Sequence, residues 1–177
     1  MIKKGYKGVP GYRKLYFCEG GDLFDGLSQE YQTDILFIAC ADSRVLPSYG
    51  TCSVTGDLVI LHMDNIVPFN NAVADDKIID AAIDHTLSTS TVTDIVVCGC
   101  SNYRSEQPAD TSTFFKQRKI VQGHIINQLR RVSSCPIVRR ELKDEVLALH
   151  GWHYEMHTGK GFAFNSLRNS FEEMCFI

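Results

Sequence analysis

Two short apolar runs constrain the fold of this chain more than any other feature. The first, ILFIA at 35–39, has the length and composition of a strand buried on both faces. The second, IVVCGC at 95–100, is of the same kind. Strands of this type belong to parallel sheets, and their carboxyl ends border the crevices in which ligands bind. Functional side chains are therefore expected directly after each run.

Candidate ligands do follow both runs. After the first run, CADSRV at 40–45 delivers Cys40, Asp42 and Arg44 at alternate positions. If the backbone stays extended there, a thiol, a carboxylate and a guanidinium lie on one side of it. The second run continues as CGCSNY at 98–103, which supplies two thiols and a phenol. A site built from these two strand ends is the first hypothesis.

The remaining pattern alternates helices with strands. Helices are predicted from Asp75 to Leu87, from Phe114 to Val132 and from Pro136 to about Glu145; extended segments are predicted from Asp57 to Val67 and from Val146 to Met156. TGKG at 158–161 indicates a hairpin turn into Phe162–Phe164. The prediction is an α/β fold with a central, mostly parallel β-sheet flanked by helices and an antiparallel edge hairpin.

Composition limits the class of protein. The chain has 177 residues and is 44% hydrophobic, enough for one domain, predicted at 23–177 after a glycine-rich N-terminal arm at 1–22. A net charge of −3 does not recommend nucleic acid as a partner, and no apolar run approaches a membrane span. Seven scattered cysteines favour reduced thiols in a cytoplasmic protein.

Five separated blocks of the sequence resemble the β-class carbonic anhydrases. The blocks are CADSRV at 40–45, GDL at 56–58, NIVP at 65–68, DIVVCGCSN at 94–102 and LHGWHY at 149–154, with TGK following at 158–160. They occur in the order of that family and at roughly its spacing. The resemblance implies the β-carbonic-anhydrase-like fold, a homodimer or higher homo-oligomer, and carbon dioxide and bicarbonate as ligands of an active member.

The resemblance also implies a zinc chemistry. In this family Cys, His and Cys hold a zinc ion whose fourth position binds water, and the ion lowers the pKa of that water towards ~7 so that hydroxide attacks carbon dioxide. Cys40 matches the first ligand. Asp42 matches the aspartate that accepts a hydrogen bond from the hydroxide, and Arg44 matches the arginine that holds this carboxylate. Asp42 and Arg44 are the predicted catalytic residues, although an Asp–Arg pair can equally serve to anchor a strand end.

The second half of the family pattern is altered. The family reads C-G-H-S-x-C-G, whereas this chain reads CGCSNYR at 98–104. Cys100 occupies the histidine position and Tyr103 the position of the second cysteine. A thiolate can bind zinc, but a phenol with a pKa of ~10 rarely does. Cys40, Cys100 and Asp42 form a partial metal set, which requires the carboxylate to leave its catalytic role.

Three functions are compatible with these residues. The favoured hypothesis is a member impaired or inactive in carbon dioxide hydration that keeps the fold for dimerisation or partner binding. The alternatives are a functioning carbonic anhydrase with a non-standard zinc set, and a thiol redox role for the pair Cys40 and Cys100. Outside the site, Cys98 is expected to pack as a small hydrophobic residue, and His153 and His157 are expected at the surface.

Overall fold

A computed structural model describes residues 33–40, 58–63, 76–101, 111–155 and 158–174. All of these residues belong to one compact unit, Thr33–Ile177. The predicted N-terminal arm at 1–22 lies outside the described residues, so its boundary with the domain stays a prediction.

The described strands form a single mixed sheet. They are β1 (Ile35–Cys40), β2 (Leu58–Met63), β3 (Asp94–Ser101), β4 (Ala148–Glu155), β5 (Lys160–Asn165) and β6 (Ser170–Glu173), in the order β2-β1-β3-β4-β5-β6. The pairs β1–β2, β1–β3 and β3–β4 are parallel, whereas β4–β5 and β5–β6 are antiparallel. The predicted fold class, with a mostly parallel centre and an antiparallel edge, is confirmed.

The described helices are α1 (Asp76–Thr89), α2 (Thr111–Ser134) and α3 (Pro136–Lys143). Pro136 stands in the first turn of α3, as predicted, where its missing N–H costs no hydrogen bond. The helix ends two residues before the predicted Glu145, which takes a left-handed φ of 58°. None of these helices is long and apolar enough to cross a bilayer.

The core lies on both faces of the central strands. Leu36 and Ile38 of β1 belong to a large apolar cluster that includes residues of all three helices, whereas Phe37 and Ala39 belong to a smaller cluster with Cys98. Alternate side chains of one strand are thus buried on opposite faces. The prediction that the first apolar run is a strand buried on both sides is confirmed.

Helix α2 packs directly against the sheet at two glycines. A Cβ atom on Gly99 of β3 would lie 3.0 Å from Cδ1 of Ile125, and a Cβ atom on Gly151 of β4 would lie 2.7 Å from Cδ1 of Leu129. Ile125 and Leu129 are both buried residues of α2. The helix can therefore pack this close to the sheet only because Gly99 and Gly151 have no side chains.

Strand β6 was not predicted. It follows a turn in which the side-chain oxygen of Asn165 accepts hydrogen bonds from the backbone N–H groups of Leu167 (3.0 Å) and Arg168 (3.1 Å). Asn169 completes this turn with a φ of 51°. The turn returns the chain alongside β5, so the antiparallel edge contains two strands rather than one.

Candidate functional site

The two cysteines predicted as metal ligands lie on neighbouring strand ends. Cys40 is the last residue of β1, and Cys100 is the last but one of β3. Ala39 is paired with Cys98, so one further step along both strands brings Cys40 opposite Gly99. With strands ~4.8 Å apart and a rise of ~3.3 Å per residue, the Cα atoms of Cys40 and Cys100 are then roughly 6 Å apart.

The other predicted site residues are not described by the structure. Asp42, Arg44 and Tyr103 lie outside the described residues, as does the side chain of Cys40. Their roles stay predictions. The structure thus brings together the backbones of the two strand ends that the sequence analysis paired.

Cys98 is a buried thiol rather than a ligand. Its side chain is 5% exposed and packs with Phe37, Ala39 and Val96. Burial, and secondarily the neighbouring Cys100, raises the pKa of Cys98 to about 12. Because metal ions bind the thiolate, this cysteine is a poor donor near neutral pH. The prediction that Cys98 packs as a small hydrophobic residue is confirmed.

Cys100 is more accessible than Cys98 and has an aromatic neighbour. It is half-buried, and the register of β3 with β4 pairs it with Tyr154, while Cys98 is paired with Trp152. The indole of Trp152 meets the ring of Phe37 edge-on, with ring centroids 6.0 Å apart. Aromatic side chains therefore border the end of β3 on the strand that follows it in the sheet.

A buried polar cluster lies on the face of β4 that packs against α2. Glu155 is 0% exposed, and its Oε1 accepts a hydrogen bond from Nε of Arg118 at 2.5 Å and forms an ion pair with Nη2 of the same arginine, also at 2.5 Å. Its Oε2 accepts a hydrogen bond from the hydroxyl of Thr158 at 3.0 Å. The buried carboxylate is thus compensated on both oxygens, as a buried charge requires. The Arg118 guanidinium also lies 4.9 Å from the ring centroid of Phe162.

His153 belongs to the same cluster, and its predicted surface position is wrong. The side chain is 0% exposed and stacks on Phe162, with ring centroids 5.7 Å apart. Gln122 Nε2 donates to His153 Nδ1 at 3.3 Å, while the buried Nε2 of the imidazole has no hydrogen-bond partner among the described residues. Burial lowers the pKa of His153 to about 4, so the ring is neutral near pH 7. His157 lies outside the described residues.

Strand alternation was the signal that could have located this cluster. Gly151 faces α2, and a period of two places His153 and Glu155 on the same face. Arg118 and Gln122 lie one turn apart on the same side of α2. They can therefore contact Glu155 and His153, which lie two residues apart on β4. The sequence analysis considered His153 only with His157, at a spacing that suits a helix.

The described residues contain no group of three or more His, Cys, Asp or Glu side chains that could hold a metal ion. The cluster around Glu155 is closed by its own arginine and threonine. The predicted metal set of Cys40, Cys100 and Asp42 stays a prediction, because Asp42 and the side chain of Cys40 lie outside the described residues.

Comparison with known proteins identifies the class to which this fold belongs. The family model described as carbonic anhydrase matches residues 35–103 and 100–161, which together are more than half of the chain. The matched segments contain β1 to β4 and the candidate site. This chain belongs to the β-class carbonic anhydrase family.

Individual relatives agree with this assignment. A carbonic anhydrase of Synechocystis sp. is 28% identical over 93% of this chain and 72% of its own length. Carbonic anhydrase 1 of Escherichia coli O157:H7 is 28% identical over 96% of this chain and 91% of its own length. The structure of the β-carbonic anhydrase CcaA superposes with a TM-score of 0.76 at 25% identity, covering 99% of this chain and 92% of CcaA.

A more distant structure shares the fold. A tetrameric β-carbonic anhydrase from Sordaria macrospora superposes with a TM-score of 0.66 at 16% identity, covering 91% of this chain and 93% of the other. At this identity the likeness concerns the fold alone.

Proposed function

We propose that this protein is a β-carbonic-anhydrase-like protein that is impaired or inactive in carbon dioxide hydration. The observation that carries the proposal is the change of donor type at two positions: a thiol at Cys100 where the family has an imidazole, and a phenol at Tyr103 where it has a thiol. Two of three family zinc ligands are thereby replaced. The remaining ligand, Cys40, does not hold a metal alone.

The described part of the site supports this proposal. Cys98, the nearest further sulfur on β3, is held as a thiol by its burial and does not compensate for the missing ligand. The described histidine next to this strand end, His153, faces α2, where its Nδ1 accepts a hydrogen bond from Gln122. Neither residue restores the Cys-His-Cys set. Asp42 and Arg44 then serve to anchor the strand end rather than to orient a zinc-bound hydroxide.

Metal analysis and kinetics test this proposal together. Protein purified without chelator is expected to contain far less than one zinc per chain and to show little carbon dioxide hydration in stopped-flow assays. The double change Cys100→His with Tyr103→Cys restores the family ligands and is expected to gain zinc. Each single change is the matched control, because it restores only one ligand.

Two results would contradict this reasoning in different ways. Stoichiometric zinc with rapid hydration in the unaltered protein would establish the alternative, a functioning carbonic anhydrase in which Cys40, Cys100 and Asp42 bind the metal. A double variant that folds but stays metal-free would show that the site differs from that of the family at further positions, beyond residues 100 and 103.

A thiol redox role for Cys40 and Cys100 is the second candidate, and the distance between their Cα atoms supports it. Roughly 6 Å is within the Cα–Cα range of a disulfide. Strand alternation places Cys100 on the face of Cys98 and places Cys40 opposite Gly99, on the face that packs against α2, so the link requires the backbone to turn at a strand end. Mass spectrometry after mild oxidation should detect this link. If both cysteines remain thiols while other cysteines oxidise, the redox role fails.

We also infer a homodimer or higher homo-oligomer in the cytoplasm. Family resemblance supports the assembly, since family members build the active cleft at a subunit interface, and the Sordaria macrospora relative is tetrameric. The scattered cysteines support the location. A monomer by sedimentation at micromolar concentration would contradict the assembly.

A further inference from the structure

The charges of this chain are strongly segregated along the sequence. Residues 111–143, which contain α2 and α3, hold eight of the 18 Lys and Arg residues and one of the 21 Asp and Glu residues. This segment carries +7, and the remainder of the chain carries −10. The net charge of −3 is therefore the sum of a basic helical segment and an acidic remainder.

The structure aligns several of these cations on the outer side of α2. Lys116, Lys119 and Arg130 are exposed, and helical geometry places them within about 60° of one another around the axis. The stripe extends for roughly 21 Å along the helix. Gly123 and Asn127 lie between the cations, and α2 contains no acidic residue.

Helix α3 continues the positive surface beyond the end of α2. Arg139, Arg140 and Lys143 are exposed, and Arg139 donates a hydrogen bond to the carbonyl oxygen of Ser134, the last residue of α2, at 3.4 Å. The one acidic residue of the segment, Glu141, pairs with Arg140 at 3.6 Å. We define the basic surface as the following exposed residues: Lys116, Lys119, Arg130, Arg139, Arg140 and Lys143.

Four of the six cations have no ion pair within the described residues. Lys116, Lys119, Arg130 and Lys143 form no ion pair with any part of the chain that the structure describes. By contrast, Lys160 and Arg168 of the β5–β6 edge each pair with a glutamate, at 2.9 Å. Like charges along one stripe repel one another, so the basic surface is a cost to the folded state unless an anionic partner neutralises it.

We propose that the basic surface binds an acidic segment of another protein. A compact acidic segment can lie along the two helices. Its carboxylates are then within a Debye length, about 8 Å at physiological salt, of the cations of the basic surface. An extended nucleic acid would also meet the exposed acidic residues Asp144 and Glu145, which directly follow α3. The apolar face of α2 is buried in the core through Val121, Ile125 and Leu129, so α2 cannot insert into a bilayer. Because basic residues can also bind an anionic bilayer by charge alone, vesicles containing phosphatidylserine are compared with the peptide in the test.

The interaction does not depend on the proposed loss of catalysis, because the basic surface contains no candidate ligand. Its test is a titration of the full chain into a fluorescein-labelled oligoglutamate peptide, followed by fluorescence anisotropy. We expect saturable binding that weakens steeply as salt is raised.

Three variants make the test specific. Changing Lys116, Lys119 and Arg130 together to glutamine is expected to weaken binding about tenfold or more. The charge-preserving triple variant, Lys116→Arg with Lys119→Arg and Arg130→Lys, should bind like the unaltered protein. The matched control, Lys160→Gln with Arg168→Gln, removes two exposed cations elsewhere and should leave binding unchanged.

Several outcomes would overturn the proposal. Absence of peptide binding by the unaltered protein at low salt would do so, as would equal weakening by the matched control. Tighter binding of a duplex DNA oligonucleotide, or of vesicles containing phosphatidylserine, than of the peptide would assign the surface to nucleic acid or to a membrane instead. Zinc content and hydration rate are measured separately, so these results leave the proposed function unaffected.

Discussion

Acid should destabilise this protein through one residue, His153. The unfolded chain carries an ordinary histidine with a pKa of 6.5, whereas burial lowers the pKa of His153 in the folded state to about 4. Between these values the unfolded state binds more protons than the folded state, so acidification favours unfolding. Stability is therefore full above about pH 6.5, falls as the pH decreases, and the loss is complete below about pH 4.

The magnitude follows from the two pKa values. Each unit of pKa difference corresponds to about 1.4 kcal/mol, so the full loss is about 3 kcal/mol, of which about 2 kcal/mol has occurred by pH 5. The physical cause is the apolar and cationic surroundings of the ring. His153 stacks on Phe162, meets Phe171 edge-on and has Arg118 nearby, while the carboxylate of Glu155 is already engaged by that arginine.

Urea denaturation at pH 7.5 and pH 5 measures this loss. The loss of unfolding free energy between the two pH values is measured for the unaltered protein and for His153→Leu. The difference between the two losses isolates His153, because the contributions of the other titrating groups cancel. The control is His85→Gln, an exposed histidine of α1, which should retain the full pH dependence. If His153→Leu and the unaltered protein lose the same free energy between the two pH values, the imidazole is not a buried neutral group and the reasoning fails.

Three further outcomes are expected. Gly151→Ala should lower the unfolding free energy by about 1–2 kcal/mol, because its Cβ would lie 2.7 Å from a methyl carbon of Leu129 in α2. The control is Gly123→Ala, whose Cβ would have no neighbour within 4 Å. This control should raise the unfolding free energy by about 0.5–1 kcal/mol in the same denaturation assay. Glu155→Gln should lower the unfolding free energy by about 2 kcal/mol, since it removes the charge of a fully buried carboxylate that pairs with the guanidinium of Arg118. No measurable loss would mean that the pair is not formed. Cys98 should resist iodoacetamide at pH 8 in the folded protein and react after denaturation, because its pKa is raised to about 12; rapid labelling of the folded chain, read by mass spectrometry, would contradict its burial.

The central architecture was predictable because local sequence and tertiary structure agree there. The run at Ile35–Ala39 is apolar at every position and has the length of a strand covered on both sides, and Leu36 to Ala39 are buried in the structure. The stripe of α2, with Val121, Ile125 and Leu129, is buried as its helical spacing predicts. Pro136 marked the start of α3.

The parts that were missed depend on contacts between distant segments. Strand β6 has only four residues, SFEE, and becomes a strand by pairing with β5, so its own residues give no strong signal. The burial of His153 results from the docking of α2 and from the rings of β5 and β6. A single histidine carries no such information, and its usual place at a surface was the wrong expectation.

The candidate site was predictable only as far as its strand ends. The register shows Cys40 and Cys100 on adjacent strands, as their motifs indicated. Asp42, Arg44 and Tyr103 follow those strands in sequence and lie outside the described residues, so their placement in the site stays a prediction. Sequence therefore defines the chemistry available at this site better than the arrangement it adopts.

Gly99 gives residue 100 an unusual freedom to change. The neighbouring backbone is fixed by apolar contact, since a Cβ on Gly99 would lie 3.0 Å from Ile125 and 3.1 Å from Val121. Contact with α2 therefore holds the backbone at the end of β3 in place. The side chain of Cys100 lies on the opposite face of the strand and takes no part in this contact. A lineage with this arrangement can substitute one donor for another at residue 100 without refolding the strand. The type of donor at residue 100 can therefore change by a single substitution, whereas the restoration proposed above also requires residue 103.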